Sequence, residues 1–450
     1  MNSEEFGRRV ICGKENPLPE LTGKFPCDLR ESVDAALRFK PSGRAECRKA
    51  VAKQALDFAG RAGLLTDARK AAAKELCGDG ALVVEVAHQP TLFPYVGFFQ
   101  KIMLGKAIAE AMRKKTKAPV VLVFGFLDTD FVQGKWFRKT FLPFSRGKNG
   151  ELALEAPVSK KDRHKQACSV PAPSAETIGA WKEALATWLS SNESDSNKKG
   201  ARVTRDENAA YERRLAEIGA IMDECSSAKT LAEFNAFFIA KVAERMGCED
   251  MLFYEYSGTR AAFKDDYAFL LSRHADYAKA SAKYYALVKA AGIEPGFDEA
   301  DEALAAFWYD CECGAKNVLV AEKEPRLVAG KCGECEKPAK DIWERLSPRA
   351  ISRPIVVARG LAPSVFVSGL GAFGFHLVAR GVSSELGVAL CPFVTWLPDV
   401  SEKGLAQRVK ESKVVPSVLD AWINFGLEGT ARAMERHLAE KKLCDALVLQ

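Results

Sequence analysis

Ala81-Leu82-Val83-Val84-Glu85-Val86-Ala87-His88-Gln89-Pro90 opens as an apolar, β-branched run and closes on two polar residues and a proline. A short continuous apolar run bounded by turn residues reads as a strand buried on both faces. Beyond the Pro-punctuated turn, Gly97 to Lys115 has helical periodicity, and Pro119-Val120-Val121-Leu122-Val123-Phe124 repeats the buried-strand pattern. Strand, turn, helix and strand make a βαβ unit, which requires the two strands to be parallel.

Outward from this unit the pattern extends both ways. Residues 26–80 are rich in Ala, Lys, Arg and Leu and read as helices, one of them bounded by Thr66 as N-cap and Gly78 as stop. Residues 141–175 read as loops and short edge strands, and Ser190 to Lys199 as a polar loop. Asp206 to Ala291 is helical with a short extended break at Met251 to Tyr256. The buried-strand pattern then returns at Arg353 to Val357, Ser364 to Ser368 and Val388 to Trp396, and the tail from Glu402 is helical. The expected fold is α/β, a Rossmann-like doubly wound parallel sheet with helical N- and C-terminal segments, a helical insertion and a zinc ribbon. Its expected segments are a helical 1–80, a first half-core 81–160, an insertion 161–305, a ribbon 306–340, a second half-core 341–400 and C-terminal helices 401–450.

Composition bounds the function. At 450 residues the chain is too long for one ordinary core, and 48% hydrophobic with 28% charged residues is the profile of a folded protein. The 65 basic and 59 acidic residues leave a net charge of +6, too mild an excess to indicate a nucleic-acid partner. Met1-Asn2-Ser3-Glu4-Glu5 lacks the features of a signal peptide, and no stretch reaches the roughly 20 apolar residues of a membrane span. A cytoplasmic protein with no membrane partner is expected, and the scattering of most of its 13 cysteines suits a reducing compartment.

Four cysteines are not scattered. Cys311-Glu312-Cys313-Gly314 and Cys332-Gly333-Glu334-Cys335 are two tight turns, and the 18 residues between them suffice for a short strand pair. Thiolates are soft ligands suited to Zn²⁺, and four of them close a tetrahedral site. A closed site leaves no open coordination position, so the zinc is expected to be structural.

The polar end of the first strand points to a ligand. In open α/β sheets ligands bind outside the carboxyl ends of the strands, near helix N-termini that attract phosphate and carboxylate. His88 can hydrogen-bond a phosphate there and Gln89 offers both donor and acceptor, although a histidine satisfied within a Pro-rich turn is the plain alternative. Later, Gly369-Leu370-Gly371-Ala372-Phe373-Gly374 matches G-x-G-x-x-G between a strand and a helix. Three readings stay open. It is a dinucleotide fingerprint with Asp399 as the ribose-binding acid, a tight turn where Gly369 and Gly371 meet an anion or substrate, or close packing of helix on strand. His376 faces either the same crevice or the helix surface.

His88-Gln89-Pro90-Thr91-Leu92-Phe93 resembles the first motif of the cysteine-adding enzymes of bacillithiol biosynthesis, the BshC family of cysteine ligases. Phe124-Gly125-Phe126-Leu127-Asp128-Thr129-Asp130-Phe131 resembles the acidic turn after that family's second strand. Leu346-Ser347-Pro348 to Arg353-Pro354, followed by Val367-Ser368-Gly369-Leu370-Gly371, resembles its Leu-Ser-Pro, Arg-Pro and glycine-rich segment. Thr91, Ala372 and Phe375 stand where the family has Gly, Glu and Tyr. The His88 to Ile102 segment is also similar to the WbqC-like proteins.

The first resemblance implies amide-bond formation between cysteine and an amino-sugar or related amine acceptor. A free carboxylate is a poor acyl donor, so ATP or ADP with Mg²⁺ is implied beside the zinc. His88, Gln89, Asp128 and Asp130 would be catalytic, His88 steadying phosphate charge and the acids binding an amine or Mg²⁺. Arg353, Gly369, Gly371 and His376 would bind substrate or nucleotide, Arg353 holding a carboxylate bidentately. Partners are then cysteine, an amine acceptor and a nucleotide, with a homodimer left open. The rival class is a non-catalytic zinc-ribbon protein binding nucleotide, RNA or another protein, using basic pairs such as Lys114-Lys115.

Overall fold

The computed structural model describes residues 1–11, 16–23, 25–41, 43–143, 151–198, 204–297, 306–320, 326–327, 330–395 and 417–440. Its strands in chain order are Leu82–His88 (β1), Val120–Phe126 (β2), Lys139–Pro143 (β3), Glu151–Glu155 (β4), Leu252–Glu255 (β5), Phe307–Asp310 (β6), Lys316–Val320 (β7), Arg326–Leu327 (β8), Leu346–Pro348 (β9), Val365–Ser368 (β10) and Phe393–Thr395 (β11). The main sheet has the order β11-β10-β1-β2-β5, and every neighbouring pair in it is parallel. The chain therefore starts at the centre, adds β2 and β5 on one side, and returns to add β10 and β11 on the other.

Register assigns the two faces. Val84 and Val86 align with Leu122 and Phe124 on β2 and with Val365 and Val367 on β10. The helix Val96–Lys115 covers this face, and it lies close: a Cβ at Gly105 would come within 2.7 Å of Val86. Glu85, Gly125 and Phe366 face the opposite way, where the helix Phe373–Glu385 brings His376 against Phe366. Nearly every residue of β1 and β2 is buried, as strands covered on both faces require.

Three expectations change. Arg353 to Val357 is not a strand but lies in the helix Ser352–Gly360. A short apolar run fits a buried helix as well as a strand, and Pro354 lies in the first turn, where the N–H that proline lacks would have had no helical partner. Met251 to Tyr256 is extended as read, but instead of belonging to a helical insertion it supplies β5, the edge strand beside β2 in the core sheet. Ser190 to Lys198 continues the helix Ala175–Lys198, since extending a formed helix adds one hydrogen bond per residue fixed. Thr66 caps the helix Asp67–Leu76 as read, its side chain accepting from Arg69 N at 3.2 Å. Asp399 and the segment 401–416 lie outside the described residues. No helix of the described residues is long and apolar enough to cross a membrane.

The cysteine-rich segment builds a second sheet, antiparallel, in the order β8-β7-β6-β9. It docks on the turn that follows β2. Lys316, on β7, donates to Thr129 O at 2.7 Å, and Gln166 N donates to Gly314 O at 3.0 Å. Ala167 N and Cys168 N in turn donate to Asp130 O and Asp128 O.

Candidate functional site

Because the sheet reverses its direction of growth between β1 and β10, their carboxyl ends mark the switch point at which open α/β sheets bind ligands. The turn after β1 is built firmly. Asn235 Nδ2 donates to Pro90 O and Phe137 O at 3.0 and 2.8 Å. Phe93 takes a positive φ of 42°, and its carbonyl accepts from Thr140 and Ser417 hydroxyls, both at 3.0 Å. Its ring is locked against Trp181, Phe234 and Phe238, so packing supports a backbone conformation that is costly for a bulky residue.

His88 ends β1 half-buried, edge-on to Phe98, with Nδ1 2.9 Å from Gln89 O. A carbonyl only accepts, so Nδ1 carries the proton and Nε2 keeps its lone pair. Burial, and then the nearby Lys101 charge, hold the imidazole neutral by bringing its pKa down to about 3. This ring is an acceptor. In this tautomer it has no free N–H for a phosphate.

Gln89, Asp130 and Arg353 come together. Gln89 Nε2 donates to Asp130 Oδ2 at 2.9 Å, and Arg353 donates to Asp130 Oδ1 at 3.2 Å. The Arg353 guanidinium lies 5.9 Å from the Tyr256 ring centre. Beneath it, Tyr254 and Tyr256 donate to Glu85 Oε1 at 3.0 and 3.3 Å. Those tyrosines come from the end of β5 and the residue just after it, and must cross β2 to reach β1. Gly125 allows the crossing, because a Cβ there would stand 2.6 Å from Tyr256 and 2.8 Å from the Tyr254 hydroxyl. Burial raises the Glu85 pKa to about 7 against the opposing pull of the tyrosines and Arg353.

Asp128 stands apart from this group. It is buried, its Oδ1 accepts from Ser257 N at 3.0 Å and its Oδ2 from the Ser257 hydroxyl, so both oxygens are occupied in joining the β2 turn to the segment after β5. Burial pushes its carboxyl above the ordinary range. His376 is likewise distant, 5% exposed and stacked on Phe366 and Phe393, with neither ring nitrogen hydrogen-bonded. Gly374 packs tightly, donating its N–H to Ser3 Oγ at 3.2 Å and leaving no room for a Cβ against Glu294 O. Of the three motif glycines only Gly371 has open space around it.

Sequence reasoning missed Lys101. It lies one helical turn before Gly105, on the sheet-facing side of Val96–Lys115, and is 3% exposed. Its Nζ is 5.2 Å from the Phe98 ring centre and 3.9 Å from where a Cβ of Gly369 would be. Burial alone lowers its pKa to about 7. Among the described residues it has no carboxylate or hydrogen-bond partner, and its Nζ is not wholly closed off from solvent. The available signal was a lysine interrupting the apolar run Phe98-Phe99-Gln100-Lys101-Ile102-Met103.

The four cysteines converge. Cys311 and Cys335 sulfurs are 3.6 Å apart, Cys313 and Cys332 3.7 Å, and all four lie within 4.8 Å of one another. Tetrahedral zinc with bonds of about 2.3 Å would separate its sulfurs by roughly 3.8 Å, so the set fits a metal ion such as zinc. Asn317 steadies it, donating to Cys332 Sγ at 3.5 Å while its Oδ1 accepts from Gly333 N at 2.9 Å. Cys391 is buried with its thiol pKa pushed up, the state of a core residue rather than a nucleophile.

Compared with models of known protein families and with curated proteins, the chain matches none.

Proposed function

We propose that this protein is an enzyme that binds a small carboxylate- or phosphate-bearing molecule in the crevice between β1 and β10, on a Rossmann-like core. The observation that carries the reading is the pairing of β1 with β10, which sets the His88-Gln89 turn beside the Gly369-Gly371 turn. Close packing explains Gly374, but neither packing nor strand geometry explains why polar and glycine-rich turns meet there. In its specific form the reaction is carbon–nitrogen ligation, joining the carboxyl of cysteine to an amine acceptor. That form rests on the motif resemblance.

The residues divide the work as follows. Arg353, held by Asp130, offers its remaining N–H donors to a carboxylate. The bare Nε2 of His88 accepts a hydrogen bond from a substrate N–H or O–H. A nucleotide with Mg²⁺ would supply carboxylate activation. The cysteine cluster holds a zinc ion that fixes the ribbon and, through Lys316, the turn carrying Asp130.

The test incubates full-length protein with cysteine, an amino-sugar conjugate and Mg-ATP, and follows product by mass spectrometry. A cysteinyl amide, reduced at least tenfold in Arg353→Met, is the expected result. No adduct with any amine, alongside measurable binding of cysteine or nucleotide, would discard ligation and keep the binding site.

A further inference from the structure

Lys101 is the one buried charge at the crevice whose partner is not provided by the described chain. The helix Val96–Lys115 returns antiparallel to β1 and β2, so its first turns lie at the carboxyl ends of the strands. Lys101 occupies the sheet-facing side there, beside His88 at the end of β1 and Gly369 just after β10. Its neighbours offer no anion. Phe98 presents a ring, His88 is neutral, and Ser368 and Gly369 carry no charge. Burying an ammonium group without an anion is strongly unfavourable. Among the described residues other inward-facing cations are matched: Arg260 with Asp310 at 2.5 Å, Arg69 with Glu244 at 2.8 Å and Lys241 with Glu224 at 2.9 Å, while Arg48 donates to the backbone carbonyls of Ala81 and Leu361.

The other side of the gap is suited to the same kind of group. Gly369 is extended and opens the short 3-10 turn Leu370–Ala372, which runs directly into the helix Phe373–Glu385. The amide groups at such a start point outward and carry a partial positive charge. A Cβ at Gly369 would stand 3.9 Å from Lys101 Nζ, which sets this turn directly beside the amine.

Building on the proposed crevice site, we propose that Lys101 Nζ and the Gly369–Ala372 turn together seat an oxyanion, the phosphate or carboxylate group of the bound molecule. The site takes one such group between a single buried cation and a helix start. Anion binding favours the charged amine, so it is accompanied by proton uptake near neutral pH. His88 is the titratable group that feels this charge among the described residues, and it stays neutral throughout the range.

The experiment titrates full-length protein with ADP, inorganic phosphate and cysteine by calorimetry from pH 6 to 8.5. At least one should bind. Its affinity should fall about tenfold per pH unit above 7, as the amine loses its proton. ADP and phosphate binding without cysteine identifies a phosphate seat, and the reverse identifies a carboxylate seat. Lys101→Met should lose binding at least tenfold while its melting temperature rises, because a buried amine is replaced by an apolar chain of similar length. Lys101→Arg should retain binding but lose the pH dependence, since guanidinium stays charged. Unchanged affinity in Lys101→Met, or the same pH slope in Lys101→Arg, overturns the assignment. Binding of ADP or cysteine in the crevice with its phosphate or carboxylate away from Lys101, as mapped by crystallography, would overturn it too, yet leave the crevice reading standing. Absence of any ligand there overturns both.

Discussion

The two flanks of the sheet's carboxyl edge are built on opposite principles. On the β1-β2-β5 side, buried polar groups are tied to one another: Gln89 to Asp130 to Arg353, Asp128 to Ser257, both tyrosines to Glu85, and Arg260 to Asp310. On the β10-β11 side the packing is aromatic, with Phe366, Phe373 and Phe393 around a His376 whose nitrogens have no partner. A satisfied polar network holds directions rigidly, whereas an apolar wall excludes water and strengthens any charge beside it. Lys101 lies on the other face of the sheet from this aromatic cluster, on the helix Val96–Lys115.

The comparison is broken most severely by removing metal. Reduced protein should carry about one zinc per chain, and Cys332→Ser should lose it. In isolated structural sites such an ion contributes on the order of 10 kcal/mol, so the ribbon should unfold locally. Lys316 and Gly314 would then release the β2 turn. Hydrogen exchange should lose protection at residues 128–132 and 165–168 and keep it at 365–368. Equal loss on both flanks would show that the ribbon supports the whole core rather than one wall.

Glu85 gives the next effect. The fold raises its carboxyl from 4.5 to about 7, so folding favours the neutral acid. Its stabilising contribution is complete below about pH 4.5, declines as pH rises, and is gone above about 7. Glu85→Gln keeps a neutral group that still accepts from both tyrosines. Urea unfolding should find the variant more stable than wild type above pH 7, by up to about 3 kcal/mol, with the difference vanishing near pH 4.5. A constant difference across that range would mean that the acid does not titrate with folding.

The smallest effect belongs to His88. A neutral acceptor contributes about 1 kcal/mol, so His88→Ala should weaken ligand binding about fivefold, and exposed His164→Ala should not change it. A loss of a hundredfold or more in His88→Ala would mean that the ring is charged in the complex, and would join it to Lys101 as a second cation at the oxyanion seat.

Much of this could be read in the chain. Continuous β-branched runs at 82–88, 120–126 and 365–368 are legible as strands because burial on both faces leaves no polar alternation. The cysteine spacing is equally clear, since two tight thiol pairs have few other uses. Local pattern fails where length is the discriminator: Ile355-Val356-Val357 reads as a strand and is helical, because so short an apolar run fits either.

By itself, then, the sequence determined the parallel α/β core, its polar turns at His88-Gln89 and Asp128-Asp130, and the four thiolates, because each depends on residues close together along the chain. Tertiary structure alone decided which of those groups work together. It turned Asp128 inward to Ser257 and left Asp130 to join Gln89 and Arg353, a contact that spans 223 residues. It also gave Gly125 a purpose and brought Lys101 beside Gly369. Strand order creates these meetings, and strand order is set by how the faces pack, which no local run of residues encodes.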